Sequence, residues 1–260
     1  MDHYAVLLTD ARHFQPPAIA KAIAAFKGIP LYDAARLAKK CRGIVGEDLE
    51  EEPAKKLAQE LKTTGLEGLI VPMASLAQLP VAEPIAQIDP DSKGWRFLLK
   101  TGQFATADST ALSLITAVGC EEITAKTTEV KQGPTVAQRA MSIGLMMTTG
   151  LPINIGGKNP MVKKTEHQTK QLYFADIFLK DPPRRLRLDA QDLNYAYLKE
   201  RKAYNVFNNF KALLNDLIKS APGAKLNLGA TSIIQAKPLY DLGYESLADG
   251  ERESRWLLTL

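Results

Sequence analysis

Tyr4-Ala5-Val6-Leu7-Leu8, a short apolar run that stops at Thr9-Asp10, opens the stretch from Tyr4 to Pro72 whose reading decides the fold. Its length and composition fit a buried strand. Pro16-Pro17 then predicts a helix start, because a proline in the first turn gives up only an N–H that has no intrahelical partner. Ile19, Ala22, Ile23 and Phe26 recur at helical spacing and form one apolar stripe, ended by Gly28-Ile29-Pro30. A second helix from Tyr32 places Ala35, Leu37 and Ala38 inward and Arg36, Lys39, Lys40 and Arg42 outward, and Gly43 stops it. Ile44-Val45 reads as a short extended link. Glu50-Glu51-Glu52-Pro53 begins a third helix, acidic where the positive end of the helix dipole favours carboxylates. Ala54, Leu57, Ala58 and Leu61 form its stripe, Gly65 caps it, and Leu69-Ile70-Val71 is a closing strand. The expected order is strand, helix, helix, short extended piece, helix, strand.

This order and these residues resemble the C-terminal domain of the bacterial ribosomal stalk protein. Gly28-Ile29-Pro30-Leu31 stands where that family has a Gly-Leu-Gly-Leu turn, and Ala54 to Gly65 matches its third helix. The resemblance covers about a quarter of the chain and implies a small partner-binding domain. The family's factor-binding surface lies on the first helix pair and is rich in lysine, arginine and valine. Here Lys21 keeps one basic position, whereas Pro16, Pro17, Ala24 and Ala35 stand at others. The departure implies reuse of a scaffold, since function lives in the site rather than the fold. Lys21 and Tyr32 are the candidate partner contacts. The whole chain also resembles uncharacterised bacterial two-domain proteins, a likeness that implies no chemistry.

Beyond this stretch the texture changes. Pro72, Pro80, Pro84 and Pro90 interrupt small and polar residues, and proline at this density favours extended, semi-stiff chain. Residues 74–93 therefore read as a linker between a domain at 1–73 and a larger one at 94–260. In the larger domain, Trp95 to Lys100, Ala111 to Val118, Ile123 to Val130, Leu172 to Leu179 and Arg184 to Leu188 read as strands, the second and third joined by Gly119-Cys120. Gly133-Pro134-Thr135 introduces a helix that buries Val136, Ala140, Ile143, Leu145 and Met147, and Leu151 to Lys164 is a loop. Tyr204 to Lys219 is the clearest helix of this half, with Phe207, Phe210, Leu213, Leu214 and Leu217 on one face. Ser232-Ile233-Ile234 reads as a short strand, Ser246 and Asp249 have the spacing of a capping box, and Trp256-Leu257-Leu258 tucks the terminus into the core. The expected fold class is α+β: a small stalk-like domain, then a larger domain with a mostly antiparallel sheet. A small pleckstrin-like barrel is the alternative for the latter.

With 260 residues, 45% of them hydrophobic, the chain can bury one large core or two modest ones. A net charge of +4 is too small to point to nucleic acid. Cys41 and Cys120 lie far apart, which supports neither a disulfide framework nor a Cys-x-x-Cys metal site. Met1-Asp2-His3-Tyr4 has neither a basic segment nor an apolar one of signal-peptide kind, and no apolar run approaches the roughly 20 residues that span a bilayer. The expectation is a cytoplasmic protein without metal or cofactor, its oligomeric state open.

Few constellations carry chemistry. Gly150 to Asn159 approximates a phosphate-binding loop but has Pro152 where the first glycine belongs and Asn159 in place of the magnesium-binding hydroxyl. His3, His13 and His167 lack partners at zinc-site spacing. Cys41 follows Lys39-Lys40, a context that lowers a thiol pKa, although a half-buried helix thiol is the commoner case. Asp176, inside Tyr173-Phe174-Ala175-Asp176-Ile177-Phe178, is a carboxylate in an apolar strand, which demands a pair, hydrogen bonds or a raised pKa. It reads either as ion-paired with a neighbouring arginine or as an acid at a pocket. Arg184, Arg185 and Arg187 read either as a charged strand edge or as a basic patch for an anion.

These residues lead to a non-enzymatic adaptor or regulatory protein that binds another protein. Two alternatives accompany it: an enzyme with a pocket near Asp176 and Arg185, and a weak binder of an anionic partner through the basic strand.

Overall fold

The computed structural model describes residues 3–10, 14–131, 147 and 161–260. The fold is α+β, and its backbone forms two compact units. One comprises Met1–Glu121 and Gln171–Leu260, the other Glu122–Lys170. The division therefore runs through a pair of long strands, and residues 1–73 and 94–121 belong to the same unit.

The first part of that unit is β1 (Tyr4–Leu8), α1 (Pro16–Lys27), α2 (Leu31–Lys40), β2 (Ile44–Leu49), α3 (Glu51–Thr63) and β3 (Gly68–Pro72), in the order the apolar periodicities require. The three strands form an antiparallel sheet in the order β2-β1-β3, with Tyr4 opposite Leu49 on one side and Pro72 on the other. Ala5, Val6, Leu7 and Leu8 are all buried, and burial of successive strand residues requires cover on both faces. The cover has two sources. Ile19, Ile23, Leu57 and Leu61 come from α1 and α3, and Leu114, Phe178, Trp256 and Leu257 come from distant parts of the chain.

A second, open sheet runs β10-β7-β8-β9-β4-β5-β6. Its members are β4 (Ala82–Pro90), β5 (Gly94–Leu99), β6 (Phe104–Asp108), β7 (Leu112–Lys131), β8 (Met161–Leu179), β9 (Arg184–Asp189) and β10 (Lys225–Leu226). The stretch 74–93 is thus no linker, because β4 sits between β9 and β5 with Ile85 and Ile88 fully buried. Proline density correctly indicated extended chain. Pro84 pairs with Arg187 of β9 and lies next to a register shift between Ile85 and Gln87 on the β5 side, an irregularity of the kind at which strands accept proline. β7 runs straight through Gly119-Cys120, so the two strands expected there are one.

Among the described residues, this half of the chain includes the helices α4 (Val206–Ser220), α5 (Leu228–Ile234) and α6 (Leu247–Thr259). Asn205 caps α4 by accepting from the N–H groups of Phe207 and Asn208, and Phe210, Leu213, Leu214 and Leu217 pack on Ala175, Ile177 and Leu179 of β8. α5 replaces the short strand expected at Ser232-Ile233-Ile234. Its β-branched residues favour a strand locally, but Asn227 accepts from Ala230 N–H at 2.8 Å and starts a helix. Ser246 stands at the N-cap of α6 without a side-chain cap bond, and Asp249 instead accepts from Glu245 N–H at 2.7 Å.

The alternation along β8 positions everything that follows. Ala175, Ile177 and Leu179 join the core under α4, whereas Phe178 joins the core shared with the small sheet, and Asp176 lies on the same side as Phe178. α6 is enclosed there: no residue from Gly250 to Thr259 is exposed. Gly250 permits the approach, since a Cβ at that position would fall 2.3 Å from Val118 Cγ2. Among the described residues, no helix is long and apolar enough to cross a membrane. The helix expected after Gly133 and the Gly150–Asn159 loop lie outside the described residues, apart from Met147, which is exposed rather than buried.

Candidate functional site

Asp176 pairs in register with Arg187, and Arg185 lies two residues before it on the same strand face. Arg185 donates from Nε and Nη2 to Asp176 Oδ2 at 2.9 and 2.6 Å. Arg187 donates from Nε to Oδ1 at 2.7 Å and from Nη2 to Oδ2 at 2.9 Å. Both Nη2 groups also reach Glu251 Oε1 of α6, at 2.7 and 2.9 Å. Two guanidinium groups and two carboxylates cancel in a closed cluster, with Asp176 6% and Arg185 4% exposed. Hydrogen bonds to Asp176 hold the Arg187 guanidinium above its ordinary value. Burial raises the Glu251 carboxyl, but the bonds from Arg187 and Arg185 outweigh it and leave the group below its ordinary value.

The cluster answers two expectations. Asp176 is the ion-paired carboxylate rather than an acid at a pocket. The three arginines do not form an anion-binding patch, because Arg184 donates to both oxygens of Glu83 on β4 at 2.8 and 2.6 Å and its neighbours are neutralised as described. Strand pairing supplies Asp176 and Glu83, and α6 supplies Glu251, none of which the spacing within β9 reveals.

A second buried polar network escaped the sequence reading. Glu253 of α6, 1% exposed, accepts from Tyr244 Oη at 2.6 Å, Leu228 N–H at 2.8 Å and Asn227 Nδ2 at 3.2 Å. Burial pushes its carboxyl above the ordinary value. The buried Arg42 guanidinium lies 4.1 Å from the Tyr244 ring centroid and donates to the carbonyls of Leu242 and Gly243 at 3.0 and 2.7 Å. Nothing in the spacing of Gly250-Glu251-Arg252-Glu253-Ser254-Arg255 marks these charges as enclosed, and the packing of α6 gives them partners.

One of the open concavities on this unit is a groove of about 310 Å³ between α1, α2 and β2. Ile23, Ile44 and Leu57 form its buried floor, and Phe26 and Leu37 stand at its sides. Lys27, Lys40, Glu47 and Arg252 line its mouth. Glu47 is held by two arginines of α6: it accepts from Arg252 Nη1 and, at 3.0 Å, from Arg255 Nη1. Arg252 is fixed further by donation to the carbonyls of Cys41 at 2.9 Å and Ile44 at 2.8 Å. Leu37, expected inward, is 41% exposed, because Ala34 and Ala38 are the residues of α2 that meet the core. The groove was missed for that reason: a leucine in an amphipathic pattern reads as core.

Tyr32 is 77% exposed at the start of α2, and Lys21 is exposed on α1 beside Thr63 and Thr64, so neither lines the groove. Cys41 at the groove wall is buried and its thiol donates to the Ala38 carbonyl, and burial pushes its pKa up to about 11 despite nearby Arg252 and Arg42. The lowered thiol pKa suggested by Lys39-Lys40 is therefore not found, since desolvation outweighs the neighbouring charges. No disulfide joins Cys41 and Cys120. His3 Nδ1 lies 2.9 Å from Asp48 Oδ1, while the placement of His13 and the side chain of His167 lie outside what is described. Among the described residues, no group of three or more His, Cys, Asp or Glu side chains is placed to hold a metal ion. No family model, curated protein or solved structure matches this chain.

Proposed function

We propose that this chain is a non-enzymatic partner-binding protein that takes up a segment of another protein in the groove between α1, α2 and β2. The observation that carries this reading is the apolar floor of the groove beside an exposed Leu37, on a unit whose buried Asp176 and Arg185 are paired within their own cluster. An apolar cleft with a few charged groups at its mouth is the ordinary form of a recognition site. Exposed Leu31 and Tyr32 extend the apolar surface along α2. The enzymatic reading named Asp176 and Arg185 at a pocket, and both are instead engaged in hydrogen bonds within the cluster with Arg187 and Glu251.

Removing residues 1–72 would strip the cover from Trp256, so point changes at exposed positions make the cleaner test. A photoreactive amino acid at position 37 of the full chain, with one at position 219 of α4 as control, is irradiated in cells. The expected result is a defined protein adduct at position 37 alone. The captured protein, once purified, should bind the Leu37→Asp chain at least tenfold more weakly than the unaltered chain. Identical adducts from both positions, or equal binding by Leu37→Asp, would overturn the reading.

A further inference from the structure

We infer that the segment taken up by the groove carries carboxylates beside its apolar anchor, an inference that rests on the docking reading above. The charge at the groove mouth is one-sided. Glu47 is the carboxylate among its lining residues, and Arg252 and Arg255 already neutralise it. Lys27 makes no ion pair among the described residues. Lys40 pairs with Glu245 at 2.7 Å, but both side chains are more than half exposed, so an incoming carboxylate can exchange with Glu245 at little cost.

The exposed face of α2 carries mainly the same sign, with Asp33 as its one carboxylate. Arg36 and Lys39 are exposed on the outer face of α2, next to the rim lysine. A basic segment would meet these cations as like charges, whereas a neutral apolar one would leave the field unused. The floor supplies apolar contact, the rim supplies the preference for acid, and together they describe an acidic segment with a large apolar side chain.

The test uses a random twelve-residue peptide library displayed on phage, selected on the full-length chain and counter-selected on the folded Leu37→Asp variant. Surviving peptides should share a large apolar residue flanked by Asp or Glu. The best of them, labelled with fluorescein, should bind at least tenfold more weakly to a Lys27→Glu/Lys40→Glu chain whose melting curve is unchanged, and more weakly as salt rises. Survivors without acidic enrichment, or binding unaffected by the double reversal, would overturn the acidic preference and leave the docking reading standing. A selection yielding no Leu37-dependent peptide would count against both.

Discussion

The indole N–H of Trp256 donates to the carbonyl of Leu8 at 2.7 Å, and the ring lies against Gly43, where an added Cβ would fall 1.9 Å from it. Trp256, the fourth residue from the end of α6, is thereby built into the core beside the first strand. Gly43 serves twice: its φ of 90° is one that other residues rarely adopt, and its missing side chain leaves the ring its place. Trp256→Ala should cost about 3–5 kcal/mol by vacating a fully buried aromatic site. Trp256→Phe should cost less, about 1–3 kcal/mol, through the unsatisfied Leu8 carbonyl. Urea unfolding midpoints of the two variants check the order, and Gly43→Ala should destabilise as well.

Asp176 faces two arginines, so Asp176→Asn leaves two buried or half-buried guanidinium groups with Glu251 alone. The expected loss is about 3–5 kcal/mol, the usual effect of breaking a buried pair, measured by chemical denaturation at neutral pH. Asp176→Asn with unchanged stability would mean that the cluster does not hold α6 against β8 and β9.

Glu251 predicts an acid response. Its folded pKa lies below the ordinary value of 4.5, so it contributes stability that is present above that value and lost as pH falls through the folded pKa. Thermal melts of Glu251→Gln should show a shallower loss of stability below pH 4.5 than those of the unaltered chain.

Glu253 predicts the opposite sign. Its folded pKa is raised, so the folded state holds a proton that the unfolded state releases, and stability declines as pH rises from 4.5 toward the folded pKa. The slope for one proton is at most about 1.4 kcal/mol per pH unit. Glu253→Gln keeps an acceptor for Tyr244 and has no such decline, so its stability relative to the unaltered chain should improve as pH rises through this window. Melts at closely spaced pH values measure the difference.

Cys41, with a thiol pKa of about 11 and a buried position, should resist iodoacetamide at pH 8 in the folded protein and react once urea is added. Peptide mass mapping of the alkylated chain gives the site.

Periodicity and punctuation in the sequence determined the local elements: α1, α2 and α3 from their stripes and proline or acidic starts, α4 from its aromatic face, and β1, β5 and β9 from short runs bounded by turn residues. These signals are local because they depend on backbone φ/ψ preference and on which residues of a helix or strand share a face. Tertiary structure alone decided that β4 is a central strand, that Asp176 meets Arg185 and Arg187, that Leu37 borders a groove, and that α6 is enclosed between the two sheets' cores. Each depends on partners far away in sequence: Arg252 reaches Glu47, and Trp256 reaches Leu8. A charged helix such as Gly250 to Arg255 looks solvated until opposing strands and helices bring counter-charges within hydrogen-bond range, because burying a charge is tolerable only when another element pairs it. No property of the helix by itself carries that information.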